Sequence, residues 1–167
     1  MTTQPIVLFP DQRLRQVTVP VSTFDDSLRI LAVDLLDTLR AAPGIGITGP
    51  HIGVGLRVVV LDLPDGSGPQ TYINPEIVQT SDTTIQHEEG SISMPGVTET
   101  LTRAETVTVR YTDLEGRPQI EEAEGLRAVC LQHEIDQLDG IFWTQKLSAL
   151  RRSRIMARYE KLRRSQR

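Results

Sequence analysis

The stretch GLRAVCLQHEIDQLDG, residues 125–140, decides the fold. Leu126, Val129, Cys130, His133 and Gln137 recur every three or four residues, which predicts a helix, and Asp139-Gly140 stops it. Inside it lies HEIDQ at 133–137. A helix carrying His-Glu-x-x-His sets two imidazoles one turn apart on one face to grip a metal, and the Glu acts as base on the metal-bound water. Here Gln137 stands at the second histidine position. Taken alone, the pentapeptide leaves two readings open, a degenerate metal site or ordinary helix residues.

Upstream of this helix the chain reads as short strands divided by turn signals. They are Arg57–Leu63, Thr71–Gln79, Thr84–Glu89, Thr106–Tyr111 and Gln119–Glu124, with Pro64-Asp65-Gly66 and Glu115-Gly116 among the turns. A first helix is predicted over Asp25–Arg40, with Leu28, Leu31, Ala32, Leu35, Leu36 and Leu39 at helical spacing. Ser22, Thr23 or Asp25 is its cap, and Pro43-Gly44 ends it. Asp11 to Leu14 reads as a turn, and a last helix is predicted from about Ser148 to Arg164 on the stripe Ile155, Tyr159, Leu162. Strands gathered between helices, without βαβ alternation, indicate an α+β fold.

Composition narrows the function classes. The chain has 167 residues, 38% hydrophobic and 24% charged, enough for one globular domain with its own core. No apolar run approaches the roughly 18 residues of a membrane span, and the N-terminus has no secretory pattern, so a cytoplasmic location is expected. One cysteine, Cys130, excludes a disulfide framework and a multi-thiolate cluster. Residues 146–167 hold nine of the 18 Lys and Arg and one of the 22 Asp and Glu, so a basic segment sits on an acidic body. Such a segment suits an acidic partner such as nucleic acid.

Two further motifs precede the helix. GIGITGPHIG at 44–53 lacks the Lys-Ser/Thr ending of a P-loop and follows a helix, so its glycines are read as allowing close backbone approach. EEGSISMPG at 88–96 carries Ser91 next to Gly90, without the flanks of a serine-hydrolase elbow.

In order and at their separations, these three segments resemble the GxGxAAxQ, EGCLS and HExDH motifs of the peptide deformylase family. PDQRLR at 10–15, INPE at 73–76, RAETVTVRYTDLEGRP at 103–118 and the basic final helix extend the resemblance over essentially the whole chain. It implies a single deformylase-like domain over 1–167, with antiparallel sheets around a central motif helix and a C-terminal helix. It also implies removal of the formyl group from the N-terminal formyl-methionine of nascent chains, on Fe²⁺ or Zn²⁺.

Carried across by position, Glu134 matches the general base, His133 the first histidine ligand, and Ile92 the residue whose backbone N–H serves the oxyanion. Ser91 stands for the ligand cysteine, Gln137 for the second histidine and His51 for the oxyanion glutamine. Gly44, Ile45, Gly46, His87, Glu89, Leu126, Val129 and Cys130 are the implied substrate pocket, His87 making it more polar.

A serine hydroxyl and a glutamine carbonyl are weak ligands for these metals. Losing two strong ligands should weaken binding by on the order of 5 kcal/mol or more, against the roughly 10–16 of tight zinc sites. Two outcomes at His51 stand side by side. One is a relocated metal site using His51 and His133, with Glu134 or a water completing it; the other is a polar network with Ser91 or Gln137. At the level of function the expectations are a deformylase-family amide hydrolase slowed or altered by Ser91 and Gln137, or a silent homologue. The silent homologue would bind peptide N-termini, or the ribosome through its basic helix.

Overall fold

The computed structural model describes residues 2–166, so Arg167 of the basic segment lies outside it. Three helices and seven strands follow one another as α1 (Asp26–Ala41), β1 (Gly46–Thr48), β2 (Val58–Leu61), β3 (Gln70–Thr80), β4 (Thr84–Ser91), β5 (Met94–Ala104), β6 (Thr106–Thr112), β7 (Pro118–Glu124), α2 (Gly125–Leu138) and α3 (Ala149–Ser165). One antiparallel sheet has the order β1-β2-β3-β6-β7, and β4 and β5 form a separate two-stranded sheet. The architecture is the α+β arrangement expected.

Helix α1 begins where Asp25 accepts hydrogen bonds from the N–H groups of Ser27 and Leu28, the capping geometry that satisfies orphan helix donors. Its stripe of Leu28, Ala32, Leu35 and Leu39 is buried against Ile47, Val58, Val60 and Ile73 of the large sheet. Helix α2 is buried on most of its circumference and contacts β1, β2, β3, β5, β6 and β7. Its inner residues Ala128, Leu131, Ile135 and Leu138 pack with Val59, Leu61, Tyr72, Val107 and Val109. Helix α3 covers the β4–β5 sheet from outside, with Ile155 and Tyr159 against Phe9, Leu101, Phe142 and Trp143. No helix of the described residues is long and apolar enough to cross a membrane.

Two elements depart from the sequence reading. The glycine-rich run is not all loop: Gly46–Thr48 pairs with β2 as the outer strand of the large sheet. The segment after Ser91 is the 11-residue strand β5, reached through the two-residue turn Ile92-Ser93. Pro95, Gly96 and a run of threonines hide its alternation. The turn expected at Asp11–Leu14 is a short 3-10 helix over Gln12–Arg15, capped by Asp11. Other boundaries move by at most two residues.

The N-terminal segment ties these parts together. Val7 N–H donates to the His51 carbonyl at 2.8 Å, and Phe9 N–H donates to the Ser93 carbonyl at 2.8 Å. Thr18 binds the Leu138 carbonyl at the end of α2 through both its N–H and its hydroxyl, each at 2.9 Å. The strap thereby spans the glycine-rich motif, the β4–β5 turn and the motif helix.

Candidate active-site cleft

A cavity of about 410 Å³ opens between β1, the β4–β5 hairpin and α2. Gly44, Ile45, Gly46, His51, His87, Glu89, Ser91, Ile92, Val129, Cys130, His133 and Glu134 line it. All three sequence motifs therefore meet in one place. Two expected members do not reach it. Gln137 is turned away, its side-chain amide donating at 2.7 Å to the Leu14 carbonyl. Leu126 packs instead at the margin of the core between α2 and the large sheet.

Backbone shape makes the approach close. A side chain at Gly46 would place its first carbon 2.5 Å from Oε1 of Glu134, and one at Gly44 would sit 2.8 Å from Ile92. The glycines let β1 lie directly against the motif helix. Among the described residues, the side of β1 away from β2 carries no strand of the sheet.

Glu134 is buried, and its Oε2 has no hydrogen-bond partner among the described residues. Burial pushes its carboxyl up to about 7; His133 and Arg103 pull it down while Glu89 adds to the rise. His133 is fixed by Glu89, which takes the Nδ1 proton in a 2.8 Å hydrogen bond and leaves Nε2 as the ring nitrogen free to meet a ligand. Burial opposes charge on His133, but the Glu89 bond and the Glu134 carboxylate outweigh it and raise its pKa.

Glu89 is held in turn by Arg103, which donates from Nε and Nη2 at 2.8 Å each and reaches Asp136 through Nη1 at 2.6 Å. Burial alone would raise the Glu89 pKa, yet the bonds to Arg103 and His133 bring it down to about 2. Arg103 and Asp136 escaped the sequence reading. Arg103 lies two residues from Leu101 on the inward face of β5, a strand the sequence pattern did not mark.

His51 does not form the network expected with Ser91 or Gln137. Its Nδ1 accepts from the Thr48 backbone N–H at 2.9 Å and lies 2.8 Å from the Thr48 hydroxyl. A backbone N–H can only donate, so Nδ1 is unprotonated and the ring proton sits on Nε2. Burial, with His133 nearby, holds the His51 pKa down at about 3, so the ring is neutral at ordinary pH. Cys130 is buried in the cavity wall, and burial pushes its thiol up to about 12, which makes it a packing residue rather than a thiolate.

The donor set does not fit the family metal. Ser91 offers a neutral hydroxyl whose oxygen already accepts from the Ser93 N–H at 3.1 Å. Gln137 points elsewhere, and His133 supplies one imidazole nitrogen. Among the described residues no three His, Cys, Asp or Glu side chains converge as a metal site, so His51, His133 and Glu134 do not together form a three-side-chain one.

Comparison with known proteins bears on the chain as a whole. The family model described as polypeptide deformylase matches residues 3–153. A protein of Brucella melitensis biotype 1 called peptide deformylase-like is 61% identical over 164 residues, 98% of this chain and 100% of that protein. The crystal structure of a peptide deformylase from Legionella pneumophila superposes with a TM-score of 0.93 at 42% identity, covering 99% of this chain and 98% of its own. That of the Ehrlichia chaffeensis peptide deformylase in complex with actinonin gives 0.92 at 34% identity, covering 100% and 99%.

Proposed function

Because the chain belongs to the polypeptide deformylase family, we propose that its cleft holds the N-terminal end of an N-formylated peptide, as a binding site rather than through the family's metal-driven turnover. One observation carries the reading. The cavity keeps the glycine-lined β1 edge, Glu134 and an N–H donor at His51, while the groups where the family has its metal ligands are a hydroxyl, a turned-away carboxamide and a single imidazole.

A peptide would add alongside the free side of β1, where main-chain hydrogen bonds supply affinity. The neutral His51 Nε2–H, with the backbone N–H of Ile92, would donate to the formyl oxygen. Glu134, protonated below about pH 7, would donate its own hydrogen bond there. The Ehrlichia relative's complex with actinonin supports ligand binding by this fold.

A second reading rests on Glu134 alone. A buried carboxylate with an unpartnered oxygen can act as general base on water, which adds to the formyl carbonyl and releases formate and a free amine. Water that no Lewis acid activates keeps a pKa near 15.7, so this hydrolysis is slow. The exposed residues Arg154, Arg158 and Lys161 on α3 support a further partner, ribosomal RNA, and both readings belong to the cytoplasm where nascent chains emerge.

Calorimetric titration with formyl-, acetyl- and free-amine peptides of one sequence tests the proposal. The formyl peptide is expected to bind at least about tenfold more tightly than the free amine. Formate release with added Fe²⁺ or Zn²⁺ should stay near background. Robust metal-dependent release sinks the binding reading, and slow metal-independent release lost in Glu134→Gln establishes the second.

A further inference from the structure

Ser91 brings a hydroxyl into the cavity that neither reading above uses. Its oxygen accepts the Ser93 N–H at 3.1 Å, and its own proton has no acceptor among the described residues. The Ser93 N–H fixes the oxygen at the turn that closes β4, and it would strengthen as negative charge grows on that oxygen.

A base faces the same cavity. Glu89 accepts the Nδ1 proton of His133 at 2.8 Å and is itself clamped by Nε and Nη2 of Arg103, each at 2.8 Å. The ring is thereby locked with Nε2 as its proton acceptor. Nε2 has no partner among the described residues and, unlike Nδ1 of His87, is not closed off from the cavity that His133 and Ser91 both line. A hydroxyl, an imidazole and an orienting carboxylate are the parts of an acyl-transfer triad, which is recognised by roles and geometry rather than by chain order. Ser91 and His133 are not hydrogen-bonded to each other in this structure, a contact of the kind that tightens when substrate arrives. Donors for an oxyanion complete the set. The backbone N–H of Ile92 directly follows the hydroxyl, the place such a donor takes after a nucleophilic serine, and neutral His51 presents Nε2–H to the same cavity.

Resting on the peptide-end reading above, we propose that Ser91 takes the formyl group from the bound peptide as a covalent formyl ester. Ser91 Oγ adds to the formyl carbon while His133 Nε2 takes the hydroxyl proton, and Ile92 and His51 hold the oxyanion. The carbon–nitrogen bond then breaks, the proton passes from Nε2 to the departing nitrogen, and a peptide with a free amine leaves. A carbon–oxygen bond has replaced a carbon–nitrogen bond, and no oxidant or reductant is needed. Water later cleaves the ester, which releases formate and restores the hydroxyl. That water, unlike Ser91, is not held in place by the chain, so formate trails the amine.

The experiment mixes the protein with a formyl-methionyl peptide in the presence of a chelator and quenches in acid at intervals. Free amine, formate and the mass of the protein are followed together. A burst of about one amine per chain is expected, with the protein gaining one formyl group that digestion places on Ser91. Ser91→Ala and His133→Gln should each slow the burst by about a hundredfold or more. Formate that keeps pace with the amine from the start, a formyl group on any other residue, or a burst unchanged in Ser91→Ala overturns the proposal. The wild-type measurements decide it even where the variants do not fold. Calorimetry with the same peptide separates the two levels. Absence of binding sinks the peptide-end reading and this proposal with it, whereas binding without formylation of Ser91 sinks this proposal alone.

Discussion

At Gly46 the carboxylate of Glu134 and the side chain of Leu61 occupy the space a single methyl group would need. A Cβ there would lie 2.5 Å from Glu134 Oε1 and 3.0 Å from Leu61 Cδ2. Gly46→Ala is therefore expected to destabilise the protein by about 1–3 kcal/mol, through overpacking. Shortening Glu134 removes the nearer obstacle, so Gly46→Ala in a Glu134→Ala background should cost clearly less. A urea-unfolding double-mutant cycle measures that coupling, and additive effects would count against the close approach. Gly46 was legible as a glycine with a task because it sits in a glycine-rich run. Which group it makes room for was not, since Glu134 lies 88 positions further on and only packing brings it there.

Helix α2 carries both the preserved and the altered parts of the site. His133 and Glu134 face the cavity, while Gln137, one turn from His133, is held by the Leu14 carbonyl on the other side. Replacing Ser91 with Cys and Gln137 with His supplies a thiolate and a second imidazole beside His133. The double variant is expected to take up close to one Fe²⁺ or Zn²⁺ per chain where the wild type takes up little. Elemental analysis and a metal-dependent melting temperature check this. Failure of the variant to retain metal would show that the Leu14 contact keeps position 137 out of the cleft.

On α3, Ile155 and Tyr159 are buried, Arg151 is occupied by Glu99 and the Thr100 carbonyl, and Arg163 lies near Tyr159. Arg154, Arg158 and Lys161 remain as an exposed stripe at helical spacing. If the stripe meets RNA phosphates, ribosome association should fall steeply between 50 and 200 mM salt, by roughly tenfold or more for three contacts. Reversing these three charges should abolish it and leave the melting temperature nearly unchanged. Co-sedimentation that ignores salt argues against phosphate contacts.

Over the whole molecule, the buried cluster Glu89–Arg103–Asp136 joins the β4–β5 sheet to α2, and its stability is tied to pH. The Glu89 pKa is about 2 in the folded protein against 4.5 as the ordinary value. Below 4.5 the unfolded chain binds a proton that the folded protein refuses, so stability present above about pH 4.5 is lost as the pH falls toward 2. Glu89→Gln should flatten that acid limb. It should also cost about 3–5 kcal/mol at neutral pH, because Arg103 stays buried with one carboxylate fewer. Melting curves from pH 2 to 7 on both proteins check this, and an unaltered acid limb in the variant would place its origin elsewhere.

By itself the sequence determined α1, α2 and α3, most strands, the deformylase-like architecture, and the positions of His133, Glu134, Ser91 and His51. Helical and strand periods are local properties, and the three motifs carry their own spacing. Strand β5 stayed hidden because its inward residues, Val97, Leu101 and Arg103, include a cation where an apolar residue would mark the face. Only the tertiary structure decided where the polar groups went. It gave His51 to Thr48 rather than to Ser91, Gln137 to a carbonyl 123 positions away, His133 to Glu89 and Arg103, and left His87 and Glu134 each with an unpaired buried atom. The physical reason is that a buried hydrogen-bonding group must find whatever partner packing brings within about 3 Å, and that neighbour is set by the meeting of distant segments, not by the residue's own surroundings in the chain.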